Sequence, residues 1–207
     1  AGKSTLFNKL TNAETLQEDK LFATLDPLTR EMVLPSGFQC IISDTVGFIQ
    51  KLPTTLIESF KSTLEEAADS DFIIHVIDNN APDIVSQYDT VLDLIDSLSM
   101  KEIPQLILFN KTDLNDKKRL LPMKPHKFVN MNMPAQDILM DIETFMSKSF
   151  DAYNTSIPLA RQDKLYSLKR QTIVKSVDID DEEVKISGFE PAGNFVERIV
   201  DKDDERE

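Results

Sequence analysis

Gln105-Leu106-Ile107-Leu108-Phe109-Asn110-Lys111-Thr112-Asp113 joins an unbroken apolar run to a polar tetrapeptide. Such a run, bounded on both sides by polar sequence, reads as a strand buried on both faces, as in a parallel sheet. The polar group follows at the strand's end. A carboxylate at Asp113 can accept two hydrogen bonds from the N1–H and N2–H₂ edge of guanine. Adenine lacks that donor pair, so a polar site of this kind discriminates strongly. The stem of Lys111 can cover the face of the base. Taken alone, Asn110–Asp113 also has the composition of a polar turn.

The alternation extends outward from this strand. Phe72–Ile77 reads as a second buried strand, and Lys127–Met131 is a candidate third. Ile84–Leu98 carries Ile84, Tyr88, Val91, Leu92, Ile95 and Leu98 at helical spacing. Ile138–Phe150 does the same with Ile138, Ile142, Phe145 and Met146. Ser4–Leu10 and Leu56–Ala68 also have helical period, and Asn12 to Thr24 reads as a loop. Thr29–Leu34 and Phe38–Ser43 are strands flanking the turn Pro35-Ser36-Gly37. Strands alternating with helices predict an α/β fold with a mostly parallel, doubly wound sheet over residues 1–152. After Tyr153 the rhythm changes. Ser156–Leu159, Thr172–Ile179 and Glu183–Ser187 read as strands and Asp163–Arg170 as a helix. These make a small C-terminal α+β domain over residues 153–200, followed by an acidic tail, 201–207, expected to be disordered.

Two further motifs sit in the same register of strand ends. Gly2-Lys3-Ser4-Thr5 matches the second half of G-x-x-x-x-G-K-S/T. There a glycine lets backbone N–H groups approach phosphate oxygens, the lysine reaches the β- and γ-phosphates, and a hydroxyl binds Mg²⁺. Gly-Lys-Ser by itself is a common tripeptide. Asp44-Thr45-Val46-Gly47 follows a strand, where an aspartate holds the Mg²⁺ shell and a glycine N–H reaches the γ-phosphate. Three motifs in this order, each at a strand end, make coincidence improbable. They predict a P-loop NTPase G domain that takes GTP as substrate, with Gly2, Lys3, Ser4, Thr5, Asp44, Gly47, Asn110, Lys111 and Asp113 around the nucleotide. Because Ala1 stands within the loop motif, the loop's first glycine and the strand leading into it are expected upstream. The 207 residues alone are then expected to fold marginally and to bind GTP poorly.

Composition narrows the function classes. The net charge of −13 gives no long-range attraction to nucleic acid, so no direct DNA binding is expected. The acidic runs Asp180–Glu183 and Asp201–Glu207 read as solvated turns and a frayed end. Cys40 is the only cysteine, which excludes a disulfide framework and suggests a reducing compartment. A cytoplasmic location is expected. An organellar one stays open, since a targeting segment would lie ahead of Ala1. No apolar run is long enough to span a membrane. No His/Cys cluster has metal-ligand spacing, so zinc is not expected.

The run Leu21-Phe22-Ala23-Thr24-Leu25-Asp26-Pro27-Leu28-Thr29-Arg30 resembles the HflX GTPases. So do Asp44-Thr45-Val46-Gly47-Phe48-Ile49 with Leu52-Pro53, and Phe60-Lys61-Ser62-Thr63-Leu64-Glu65-Glu66. These segments separate HflX from its Era, Obg and TrmE relatives, and Ile157 to Phe189 is more loosely similar to the small C-terminal domain of HflX proteins. The resemblance implies that the Thr24 hydroxyl binds Mg²⁺ beside Ser4 and Asp44, and that Lys3, Thr24 and Gly47 serve catalysis. It implies association with the large ribosomal subunit, and splitting or rescue of stalled ribosomes. It also implies N-terminal domains ahead of this chain that supply ribosome contacts. The expected assembly is a monomer. An Obg- or Era-like ribosome-assembly GTPase is the alternative.

Some positions depart from better-known GTPases. Phe48 stands where Ras-like enzymes carry a water-orienting glutamine, and a phenyl ring cannot orient water by hydrogen bonding. Slow intrinsic hydrolysis completed by a partner is expected, with a nucleotide-gated binding module of negligible turnover as the competing class. Val129-Asn130-Met131-Asn132 replaces the usual Ser-Ala-Lys loop, with Asn130 in place of the serine and the Met131 backbone near guanine O6. His75 is expected to be a packed strand residue and His126 an exposed one ahead of a strand. Arg30 is a candidate cis arginine finger, but fits a surface or switch-stabilising role better.

Overall fold

The computed structural model describes residues 1–11, 28–44, 68–114 and 125–201. Thr24, Gly47 and Phe48 lie outside them, as do the expected loop 12–24 and all but the last residue of the expected helix Leu56–Ala68. The chain divides into two units, Ala1–Arg30 with Ile42–Ile138, and Glu31–Ile41 with Leu139–Glu207.

In the first unit α1 (Lys3–Leu10) buries Leu6, Phe7 and Leu10, the three apolar positions that share one helical face. A sheet of three strands follows, in the order β3 (Ile73–Asp78), β4 (Gln105–Asn110) and β5 (His126–Phe128). All pairings are parallel, running from Ile73↔Gln105 to Asp78↔Asn110 and from Ile107↔His126 to Phe109↔Phe128. β4 has a neighbour on each side, and Leu106 to Asn110 are all buried. That is why its sequence shows no alternation. Between β3 and β4, α2 (Ile84–Ser97) sets Ile84 into a cluster with Ile77, Ile107 and Phe109, edged by Tyr88 and Phe128. Each such side chain contributes roughly 1.5–3 kcal/mol of hydrophobic stabilisation.

β5 starts one residue before the expected Lys127 and ends at Phe128 rather than at Met131. Its last sheet bond is Val129 N–H to Phe109 O (2.8 Å), after which the Asn130 side chain turns the chain by accepting from Asn132 N and Met133 N. His126, expected to be exposed, is instead half-buried within β5. Its ring meets Phe109 and Phe128 edge-on, at 5.5 and 5.3 Å.

The segments β1 (Leu28–Val33) and β2 (Gln39–Asp44) form a two-stranded sheet that turns at Pro35-Ser36-Gly37. After α3 (Ala135–Ser149), the second unit builds its own sheet in the order β6-β8-β7, antiparallel throughout. These strands are β6 (Asp151–Pro158), β7 (Ile173–Ile179) and β8 (Glu183–Glu190). β6 begins five residues before the expected start at Ser156. Only Tyr153 and Ile157 are buried, while polar Asn154 and Ser156 alternate outward, Asp151 is exposed at the strand's start, and together they mask the strand. Helix α4 (Gln162–Gln171) and helix α5 (Phe195–Asp201) cover one core of Tyr153, Ile157, Leu168, Val184, Ile186 and Val196. α5 has no clear sequence signal. It is held by Glu190 accepting from Val196 N (2.9 Å) and by buried Lys164 donating to Val200 O (2.7 Å).

Two measurements test this packing. A Cβ on Gly188 would stand 2.3 Å from Ile173 O and 2.9 Å from the Tyr153 ring, so backbone must move to admit it. Gly188→Ala should destabilise the second unit by about 2 kcal/mol or more, read as a lowered midpoint in urea or thermal melts. In the first unit His75 is 7% exposed and stacked on Tyr88, and its Nδ1 has no hydrogen-bond partner among the described residues. Burial pulls its pKa from 6.5 to about 4. The unfolded chain therefore takes up this proton first as pH falls. The His75 contribution should be full above pH 6.5 and decline by about 3 kcal/mol towards pH 4. Stability measured between about pH 7 and pH 4 should fall less steeply in His75→Phe than in the parent.

Candidate nucleotide-binding site

The site begins where α1 begins. Gly2 adopts φ +77°, and its carbonyl accepts the first helical bond from Leu6 N (3.0 Å). Lys3 follows, then the exposed hydroxyls of Ser4 and Thr5 on the first turn. The start of a helix presents N–H groups and the positive end of the dipole, which suits an anion. Burial pulls the Lys3 ammonium down to about 8, and it pairs with the carboxylate of Asp44, the last residue of β2. Two of the expected motifs therefore meet in space.

The third motif joins them through Asn110. Its side chain is 1% exposed, and its Nδ2 donates to Ala1 O (3.0 Å). A Cβ on Gly2 would lie 2.7 Å from that same Nδ2. Glycine is thus required there both by the left-handed backbone and by the neighbouring carboxamide. Lys111 is left-handed too, at φ +62°. Its Nζ donates to Asp78 Oδ2 at the end of β3 (2.7 Å), and its carbonyl accepts from Asn80 Nδ2 (2.9 Å) and from Leu114 N (3.2 Å). Asp113 is exposed within a short 3₁₀ turn, Thr112–Leu114.

The loop after β5 closes the other side. Thr112 Oγ1 donates to Val129 O (3.0 Å) and accepts from Asn130 Nδ2 (3.3 Å), and Lys9 Nζ donates to Met131 O (2.8 Å). Asn130 and Met131 are therefore drawn towards the Asn110–Asp113 loop and the end of α1. Arg30, the candidate finger, is engaged by α1: its Nη1 donates to Asn8 Oδ1 (3.1 Å) and its guanidinium lies 5.5 Å from the Phe7 ring centroid. Lys9, Asp78 and Asn80 escaped the sequence reading, and Thr112 enters it only as the variable position of the Asn110–Asp113 motif. Only the run of short polar residues Asp78-Asn79-Asn80 at a strand end could have marked any of them.

Among the described residues no group of three or more His, Cys, Asp or Glu gathers that could hold a metal. The Ser4 hydroxyl and the Asp44 carboxylate are hard oxygen donors. They fit Mg²⁺, which takes few protein ligands and keeps waters and phosphate oxygens.

A parallel sheet whose central strand ends in a base-type loop, bonded to a phosphate-type helix start that in turn pairs with an acidic strand terminus, fits a P-loop G domain. The chain belongs to the family described as 50S ribosome-binding GTPase, which matches residues 1–111. It is 58% identical over 113 residues to GTPase HflX of Alkalihalophilus pseudofirmus, a match covering 55% of this chain and 27% of that one. It is 38% identical over 190 residues to GTPase HflX of Caldanaerobacter subterraneus subsp. tengcongensis, covering 90% of this chain and 44% of that one. A third match, 53% over 116 residues, is to GTPase HflX of Lacrimispora saccharolytica, covering 56% of this chain and 27% of that one. The chain thus spans between about a quarter and under half the length of these relatives. Among the described residues no helix is long and apolar enough to cross a membrane.

The contact between Gly2 and Asn110 gives a direct test. Gly2→Ala should cost roughly 1–3 kcal/mol in unfolding free energy through strain and displacement of the Asn110 side chain. The double variant with Asn110→Ala should be less destabilised than the sum of the two single variants, because the clash is then relieved.

Proposed function

We propose that this chain carries the nucleotide switch of an HflX-like GTPase that binds and hydrolyses GTP in association with the large ribosomal subunit. The observation that supports it best is the junction at Asn110, where a base-type loop is bonded to the backbone leading into the α1 phosphate-type loop. In this reading Gly2, Lys3, Ser4 and Thr5 hold phosphate, Asp113 accepts from the guanine edge, and Lys111 covers the base. Asn130 and Met131 approach the guanine carbonyl. Ser4, Asp44 and Thr24 would hold Mg²⁺, which when bound would supply positive charge at the phosphates. Lys3 adds a cation at the same phosphates. Thr24 and Gly47 sense the γ-phosphate, so that hydrolysis releases the switch segments.

The G domain is assigned to residues 1–152 and the small α+β domain to 153–200, with 201–207 as a tail. The protein is proposed to act as a cytoplasmic monomer, and splitting or rescue of ribosomes is the role in best accord with the HflX likeness. Phe48 favours a rate that is slow until a partner completes the site.

Single-turnover assays on the full-length gene product should show GTP hydrolysis accelerated by large ribosomal subunits, with ATP a poor substrate. Asp113→Asn should reduce GTP use by a factor on the order of 10² or more, because a guanine donor pair is left facing an amide. The same variant should gain on xanthosine triphosphate. Tight GTP binding without turnover, with or without ribosomes, would instead identify a nucleotide-gated binding module.

A further inference from the structure

The turn after β3 grips Lys111 at both ends. Asp78 Oδ2 accepts from its ammonium (2.7 Å), and Asn80 Nδ2 donates to its carbonyl (2.9 Å). The turn is itself braced, because Asp78 Oδ1 accepts from Asn80 N (2.9 Å) and Asn79 N donates to Asn110 O (2.9 Å). Neither grip is needed to close the turn, which the bond from Asn80 N to Asp78 Oδ1 and the Ala81 N to Asp78 O bond (3.1 Å) already do. What the two grips fix is Lys111, a non-glycine residue in left-handed backbone. That conformation costs on the order of 1 kcal/mol and persists only where its surroundings hold it. The carbonyl bonded by Asn80 is also the one that accepts Leu114 N–H and closes the 3₁₀ turn carrying Asp113.

We propose that Asp78 and Asn80 are positioning residues for purine recognition: by clamping the ammonium and the carbonyl of Lys111 they set the base-covering stem and, through Leu114, aim the Asp113 carboxylate. This rests on the reading that Asn110–Asp113 holds guanine. The clamp acts on the base side of the nucleotide, at a distance in sequence from the phosphate loop and the metal donors. Burial would raise the Asp78 carboxyl, but hydrogen bonds from Lys111 and the Asn80 backbone, with the Lys111 charge, hold it below its usual value. It is therefore a carboxylate at neutral pH and a lasting partner for the ammonium.

The test uses the full-length gene product and GDP itself, with inosine diphosphate, which lacks the 2-amino group, as the second probe. Asp78→Asn keeps the shape and removes the charge, while Asn80→Ala removes the carbonyl grip. Each should speed GDP release about three- to tenfold, the range of one partly buried hydrogen bond. The preference for GDP over inosine diphosphate should narrow, and KM for GTP should rise more than kcat falls. The two effects should be less than additive, since both act through Lys111. Unchanged GDP release in both variants would overturn the proposal. So would a lowered melting temperature with the GDP to inosine diphosphate ratio intact, which marks a merely structural turn. If Asp78→Asn does not fold, Asn80→Ala carries the same comparison. A parent protein that binds no GDP would sink the guanine-site reading itself, a different result from parent binding that the variants leave unmoved.

Discussion

Burying a carboxamide is unfavourable unless its polar atoms find partners, and Asn110 is buried at the end of the central strand. Its Nδ2 donates to Ala1 O and so meets half of that demand, its Oδ1 has no hydrogen-bond partner among the described residues, and its backbone carbonyl accepts from Asn79 N. Through those two bonds the start of α1, the turn after β3 and the loop after β4 are held to one point. The demand propagates outward. Gly2 must lack a Cβ to leave room, so Lys3 follows a left-handed residue and α1 starts where its first turn meets Asp44. The helix start and the base loop are thereby held together by one side chain that need not touch any ligand, and Lys3 ties in the acidic strand end.

Much of the first unit is legible from sequence because its strands are buried on both faces. Continuous runs such as Leu106–Phe109 have no polar interruptions to mislead the eye, and parallel pairing follows from the intervening helix. The ends of elements are less legible. β5 stops at Phe128 because the Asn130 side chain captures two backbone N–H groups, an event invisible in a run that reads Phe128-Val129-Asn130-Met131. His126 joins the strand because its ring finds two aromatic edges across the sheet, and neighbours distant in sequence cannot be read from its own surroundings.

The candidate site divides along the same line. Gly2, Lys3, Asp44, Asn110, Lys111 and Asp113 are legible because their chemistry requires particular residue types at fixed offsets. Lys9, Asp78 and Asn80 are not, because each acts on backbone or on another side chain, a task that many residue types share. In the second unit the difficulty is polarity. An antiparallel strand with one solvated face, such as β6, looks like loop once its outer positions include Asn and Ser and its first residue is Asp. α5 depends on Glu190 and Lys164, two residues from other elements, for its ends.

Lys111 shows what such a site asks of a sequence. Glycine at that position would relax the left-handed backbone, yet it would forfeit the ammonium that meets Asp78 and the stem proposed above to cover the base. Local preference and recognition therefore conflict at this residue, and the chain keeps a small amount of frustration there. Natural sequences tolerate such conflicts where recognition demands them. It follows that a search for stabilising substitutions would find a favourable-looking change at Lys111 on backbone grounds. The gain in folding free energy would come at the place where the protein can least afford to be remade.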